Sequence, residues 1–63
     1  MTIQQAIDSN RANNILNTLN ELEGMQLLFA LAQVEQVAKE RKNGLWLDIA
    51  TDKRKQLDSR RSN

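Results

Sequence analysis

The sequence has no cysteine, no histidine, no tyrosine and no proline among its 63 residues. Without cysteine there is neither a disulfide nor a thiolate ligand. Without histidine the commonest transition-metal ligand and the usual pH switch are missing. A chain this short buries only about 60% of its unfolded surface, so small domains usually add disulfides, a metal or oligomerisation. We therefore expect no metal and no other cofactor, and oligomerisation is the route left open.

The same absences leave few groups for catalysis. Carboxylates, lysines and three serines are the remaining candidates for acids, bases and nucleophiles. Glu21 and Glu23 are two residues apart, so on a helix they point in different directions and do not share a site. The sequence also has no glycine-rich phosphate loop and no metal-ligand spacing. These features predict that the protein is not an enzyme.

Long apolar runs are missing as well. The longest apolar-rich stretch, from Met25 to Val34, contains two glutamines and is far shorter than the about 20 residues that span a bilayer. The start of the chain has no basic region followed by an apolar stretch, which a secretory signal would have. We expect a soluble, cytoplasmic protein without membrane contact, and the lack of cysteine fits a reducing compartment.

Positive charge is concentrated near the end of the chain. Residues 1–50 carry four basic and six acidic side chains, whereas residues 51–63 carry five basic and two acidic ones. A basic tail of this kind indicates a separate role, and its cations could neutralise phosphates. A solubilising tail is the alternative, because no interleaved aromatics accompany the basic residues. The nucleic-acid candidates are Lys53, Arg54, Lys55, Arg60 and Arg61.

The composition favours helix over sheet, and the start of a first helix is well marked. Thr2 and Gln5 have the spacing of a capping box, which predicts a helix from about Ile3 to Leu19 or Leu22. Ile3 and Ile7 lie off its apolar stripe, so either the helix bends near residues 8–10 or these two isoleucines meet something else. The stripe consists of Ala12, Ile15, Leu16, Leu19 and Leu22.

The boundary after this helix allows three interpretations. Residues 20–23 could form a second capping box after a tight turn, or Gly24 could end the first helix as a left-handed cap. One continuous helix could instead tolerate Gly24 at a cost of about 1 kcal/mol. We favour a helical hairpin whose second helix runs to about Lys42, where Asn43 and Gly44 provide the stop.

The segment after Gly44 is ambiguous. Residues 45–49 alternate like a short strand, yet Trp46, Ile49, Ala50 and Leu57 also have helical spacing. Trp46 is interpreted either as a core residue that closes the bundle or as an anchor for a partner, because Trp is enriched among binding hot spots. We predict one small helical domain over residues 1–57 and a frayed basic tail over residues 58–63.

The segment 25–38 decides the predicted assembly, because it is apolar around most of the helix circumference. Such a helix must be buried on most sides. Each large apolar side chain left in water loses about 1.5–3 kcal/mol of the free energy that its burial would contribute to folding. We predict an all-α fold, a helical hairpin plus a short C-terminal segment, assembling as a two-fold dimeric helical bundle. A compact three-helix monomer with an exposed patch is the alternative. The self-association candidates are Leu27, Leu28, Phe29, Leu31, Val34 and Val37.

The predicted function is a non-catalytic protein–protein interaction module, or a small regulatory adaptor, that acts as a helical homodimer. Its candidate contacts with a protein partner are Trp46 and the polar face of the first helix around Asn13 and Asn17. The alternative is a nucleic-acid-binding regulator that uses the basic tail from Lys53 to Arg61. The small size and the poverty of catalytic groups also suit an accessory protein of the kind that bacteriophages or plasmids encode.

Overall fold

A computed structural model describes the backbone of residues 1–61 and the side chains of residues 1–59. This part of the chain folds into four helices and contains no strand, which confirms the all-α prediction. The helices are α1 (Ile3–Asp8), α2 (Ala12–Glu21), α3 (Gly24–Arg41) and α4 (Gly44–Arg61). The fraying of residues 58–63 stays a prediction, since α4 continues through Arg61 and residues 62–63 lie outside the described part.

Helix α1 begins at the predicted capping box. The Thr2 hydroxyl accepts a hydrogen bond from the backbone N–H of Gln5 at 3.2 Å. In return, the side-chain oxygen of Gln5 accepts from the backbone N–H of Thr2 at 2.9 Å. Two amides that the first helical turn leaves unpaired are thereby satisfied.

A single first helix reaching Leu19 is not formed, because the chain bends between α1 and α2. Asn10 has φ 59°, a left-handed conformation that Asn tolerates better than most residues. The Ser9 hydroxyl accepts from the side-chain amide of Asn14 at 2.9 Å and ties the bend to α2. The bend was one of the two alternatives that the off-stripe isoleucines allowed, and it places Ile7 in the core at 2% exposure.

The turn between α2 and α3 matches none of the three detailed interpretations. The helical hairpin stays a prediction, since α2 and α3 contact each other far less than α3 and α4 do. Asn20 lies inside α2, and Glu23 makes no side-chain cap hydrogen bond, so the second capping box over residues 20–23 is not formed. Gly24 has φ +58°, as a left-handed cap would. It opens α3 instead of ending the helix before it. Glycine reaches this region without the Cβ clash that other residues meet.

The turn between α3 and α4 lies close to the predicted stop, but its left-handed residue is Lys42 (φ 54°) rather than a glycine. The backbone N–H of Asn43 reaches the carbonyl of Ala38 at 2.8 Å, the pattern of a Schellman motif. The Asn43 side chain then accepts from the backbone N–H of Trp46 at 3.2 Å. Asn43 therefore closes one helix with its backbone and caps the next with its side chain.

We expect Lys42→Gly to stabilise the fold by about 0.5–1 kcal/mol, because glycine lacks the Cβ that makes the left-handed region costly. Lys39→Gly is the matched control, since it places the same substitution inside α3 and should destabilise by about 1 kcal/mol. Urea unfolding followed by circular dichroism compares the two variants with the wild type. A Lys42→Gly chain that is less stable than the wild type would contradict this account of the turn.

Residues 45–49 are helical, so the second of their two interpretations is right. Helix α4 has 18 residues, and the C-terminal segment is therefore longer than predicted. Five residues alone fit both a strand and a helix period, whereas the Asn43 cap before them selects the helix. Trp46 and Ala50 are buried, and Ile49 and Leu57 are partly buried, as the helical spacing predicts.

The four helices form a body of 35 × 23 × 17 Å in which α3 and α4 make the most extensive contact. Leu16 departs from the predicted stripe and is 42% exposed, because Ile15 and Leu19 take the inward positions of α2. The core draws on every helix and consists of Ala6, Ile7, Ile15, Leu19, Leu27, Ala30, Leu31, Val34, Ala38, Trp46 and Ala50.

Candidate protein-interaction face

Helix α3 has an apolar face on each of two opposite sides. Its inner side carries Leu27, Leu31 and Val34, each at most 4% exposed. On its outer side, Met25 is 65% exposed and Phe29 is 67% exposed. Leu28 (37%) and Ala32 are exposed beside them. We call these four residues, Met25, Leu28, Phe29 and Ala32, the outer row.

The spacing of the outer row explains its position. Its members follow one another at i, i+3, i+4 and i+7, which places them on one face of an α-helix. At about 100° per residue, that face lies about half a turn from the inner residues. Helices α1, α2 and α4 pack on the inner side of α3. No residue of the outer row belongs to the core cluster of the described chain or packs against it.

Polar residues follow the outer row toward the carboxyl end of α3. Gln36 and Lys39 continue the same line toward the carboxyl end, and both are exposed. With about 150–250 Å² for a large side chain, the row offers roughly 300–400 Å² of contiguous apolar surface. A patch of this size with a polar rim is typical of an interaction site.

The predicted self-association residues divide between the two sides of α3. Leu27, Leu31 and Val34 belong to the core of the single chain, and Val37 is partly buried against that core. These four residues are therefore buried or partly buried within the single chain. They do not need a second copy to cover them, contrary to the prediction that they form the self-association surface. Leu28 and Phe29 are in the outer row.

Met25 and Ala32 were missing from the predicted set, although they complete the row. The signal that could have found them is the spacing of residues 25, 28, 29 and 32. An apolar segment with two such rows half a turn apart has two apolar faces. A single core can bury only one of them. The sequence does not say which face the rest of the chain occupies.

Trp46 is 2% exposed and belongs to the core cluster. The Arg41 guanidinium lies over its ring, 5.4 Å from the centroid, a geometry that favours a cation–π contact. This placement agrees with the interpretation as a core residue, and a role as partner anchor would require the ring to leave the core. The other two partner-binding candidates, Asn13 and Asn17, are exposed on α2 one turn apart.

Of the basic candidates whose side chains the structure describes, two contact neighbouring helices and one is exposed. The Lys53 ammonium donates to the side-chain oxygen of Asn20 at 2.6 Å. Arg54 forms a salt bridge with Glu35 at 2.8 Å, so both residues hold α4 to neighbouring helices. Lys55 is exposed. The side chains of the last two candidates, Arg60 and Arg61, lie outside the described residues, and nucleic-acid contact stays a prediction.

An open hollow of about 360 Å³ lies between α2 and α4, where it is lined by Leu16, Asn20, Ile49, Asp52, Lys53 and Gln56. A second hollow of about 260 Å³ shares Asn20, Lys53 and Gln56 with it and extends toward Leu22, Leu27 and Leu57. Acidic residues also line the two hollows, Asp52 the first and Glu23 the second. Because charged, amide and apolar side chains line both hollows, their lining does not indicate one class of ligand.

Within residues 1–61, no three acidic side chains gather as a metal site would require. In the same part of the chain, none of the helices has the length and apolar character needed to cross a bilayer. No protein-family model matches the sequence, and comparisons with curated proteins and with solved structures give no significant match.

Proposed function

We propose that this chain is a non-catalytic protein–protein interaction module that acts as a helical homodimer and joins its copies through the outer row of α3. The observation that carries the proposal is the exposure of Met25 and Phe29, about two thirds each, on one face of a folded chain. A small regulatory or adaptor protein needs such a face, whereas the acid–base and nucleophilic groups of an enzyme are scarce in this sequence.

The energetics support a partner on this face. Full burial of a large apolar side chain is worth about 1.5–3 kcal/mol, and most of that contribution is missing for Phe29 and Met25 in the single chain. The accessible surface of the chain is 4591 Å², against about 4,100 Å² for a typical folded monomer of this mass. Covering the outer row would remove much of this excess.

A second copy covers the row with the fewest assumptions. In a two-fold dimer the same patch lies on both subunits, so one contact between two α3 helices shelters both rows. The two rows alone would bury roughly 700 Å² in total, which is below the about 1,200–2,000 Å² of stable complexes. We therefore expect a reversible dimer that gains further contacts from the side chains around the row.

Dimerisation through α3 leaves α2 available to another protein. Asn13 and Asn17 are exposed there on a polar face, and amide side chains can donate and accept hydrogen bonds in several arrangements. This face is the proposed contact of the module with its protein partner. The dimer would present two copies of it, which raises the apparent affinity for a partner with two sites.

Sedimentation equilibrium of the wild-type chain tests the proposal, over loading concentrations from about 1 μM to about 1 mM, the range of reversible association. We expect the average mass to rise from 7.2 kDa toward twice that value as the concentration increases. A chain that stays at 7.2 kDa over the whole range, while remaining folded by circular dichroism, would refute the homodimer.

A further inference from the structure

Most of α3 carries almost no charge. Between Gly24 and Ala38 the single charged residue is Glu35, and the other polar residues are all glutamines. Glu35 lies seven residues after Leu28 and three after Ala32, so it borders the outer row. The one charge of this stretch is therefore next to the surface on which the copies are proposed to meet.

Arg54 of α4 neutralises this charge. Its guanidinium Nε donates to the Glu35 Oε1 at 2.8 Å, in a salt bridge whose side chains are 44% exposed for Arg54 and 24% for Glu35. The pair stays at the surface and has no net charge. Because Arg54 lies 19 residues further along the chain, only the packing of α4 on α3 brings the two side chains together.

The opposite border of the outer row is uncharged as well. Gln33 follows Phe29 by one turn, and its amide donates to the side-chain oxygen of Gln4 at 2.6 Å. Gln36 continues the row toward the carboxyl end and is exposed. We call the outer row, together with Gln33, Glu35 and Gln36, the outer face. With Glu35 paired to α4, this face has no unpaired charge.

A face of this kind suits a two-fold dimer. Near a two-fold axis each residue lies close to its own counterpart in the second copy, so an unpaired charge would meet a charge of the same sign. An amide has both donors and an acceptor and can pair with another amide. The next charges along α3, on Lys39 and Glu40, are opposite in sign and lie beyond the outer face. The face therefore fits a copy of itself better than a strongly charged partner.

We infer that the ion pair between Arg54 and Glu35 is part of the association surface, where it keeps the outer face neutral for a second copy. This inference rests on the homodimer proposed above and gives a role in association to two residues outside the outer row. Covering the row removes water from its borders, and a charge that loses water without a partner opposes burial. Arg54 acts through Glu35 by cancelling its charge, and the apolar row supplies the contact.

Removing one charge at a time tests the inference. Arg54→Gln leaves Glu35 charged beside the row, and Glu35→Gln leaves Arg54 charged there. We expect each to weaken dimerisation about threefold or more, since both copies carry the unpaired charge, and we expect added salt to relieve the loss. The double variant Glu35→Gln, Arg54→Gln removes both charges and should dimerise at least as tightly as the wild type.

The double variant also separates an electrostatic role from a structural one. The ion pair joins α3 to α4, and all three variants lose that contact. If the pair acted only by holding α4 in place, the double variant would dimerise as weakly as the single ones. That result would overturn the inference.

Lys55→Gln is the matched control, since it removes the same charge as Arg54→Gln at the next position of α4, which is exposed. It should leave the dimer affinity within about twofold of the wild type. Sedimentation equilibrium at about 0.05 M and about 0.5 M salt gives the affinities, and circular dichroism checks that each variant is folded. The wild-type affinity should be nearly the same at both salt concentrations.

The possible results distinguish this inference from the homodimer on which it rests. Single variants that dimerise as tightly as the wild type would overturn the role of the ion pair and leave the homodimer standing. A wild-type dimer that weakens severalfold as salt is added would overturn the neutral outer face in the same way. A wild type that never dimerises would overturn both.

Discussion

Trp46→Ala is expected to destabilise the chain by about 3–5 kcal/mol, the range for removal of a large aromatic side chain from a core. The indole is 2% exposed and belongs to the cluster that holds α3 and α4 together. A domain of this size rarely has more than about 3–5 kcal/mol of stability in all, so a large part of the population should be unfolded at room temperature. Circular dichroism during urea titration measures the loss.

Leu45→Ala is the matched control for Trp46→Ala. Leu45 is the neighbouring residue in α4 and is 61% exposed, so its truncation should change the stability by no more than about 0.5 kcal/mol. If Trp46 were instead an anchor for a partner, Trp46→Ala would leave the unfolding midpoint unchanged. That result would contradict the core position of the indole.

Phe29→Glu should weaken dimerisation about 100-fold or more, because a charged side chain would replace a central aromatic contact in both copies. The folding of the single chain should change little, since Phe29 is 67% exposed and lies outside the core. Sedimentation equilibrium measures the first effect, and urea unfolding at a concentration where the wild type is monomeric measures the second.

Gln36→Glu is the matched control for Phe29→Glu. It adds the same negative charge to the outer face of α3, but at the polar end of the line rather than within the outer row. We expect it to change the dimer affinity only a few-fold, as a charge at the rim of an interface does. Equal losses for the two variants would mean that added charge, and not the lost apolar contact, weakens the dimer.

The variants Trp46→Ala and Phe29→Glu should affect different properties. Trp46→Ala removes core contacts and lowers stability, whereas Phe29→Glu removes an exposed apolar surface and lowers association. Both residues are large aromatics in apolar segments, and the sequence alone does not separate their roles. Their exposure does, at 2% for Trp46 and 67% for Phe29.

The sequence by itself determined the features that depend on neighbouring residues. The capping box at Thr2 and the end of α3 near Lys42 both follow from side chains within a few positions of the boundary. The all-α class follows from helix propensity and the lack of proline. The bend at Ser9 and Asn10 is one of the two alternatives that the sequence allows, because Ile3 and Ile7 lie off the apolar stripe.

Only the tertiary structure decided which apolar residues are core. The segment 25–38 is apolar around most of its circumference, so its pattern is nearly the same whichever face points inward. The position of α4 made the choice, since its Trp46 and Ala50 pack with the inner side of α3 and leave the outer row exposed. That position depends on contacts between residues far apart in the chain, which a helical period along one segment does not encode.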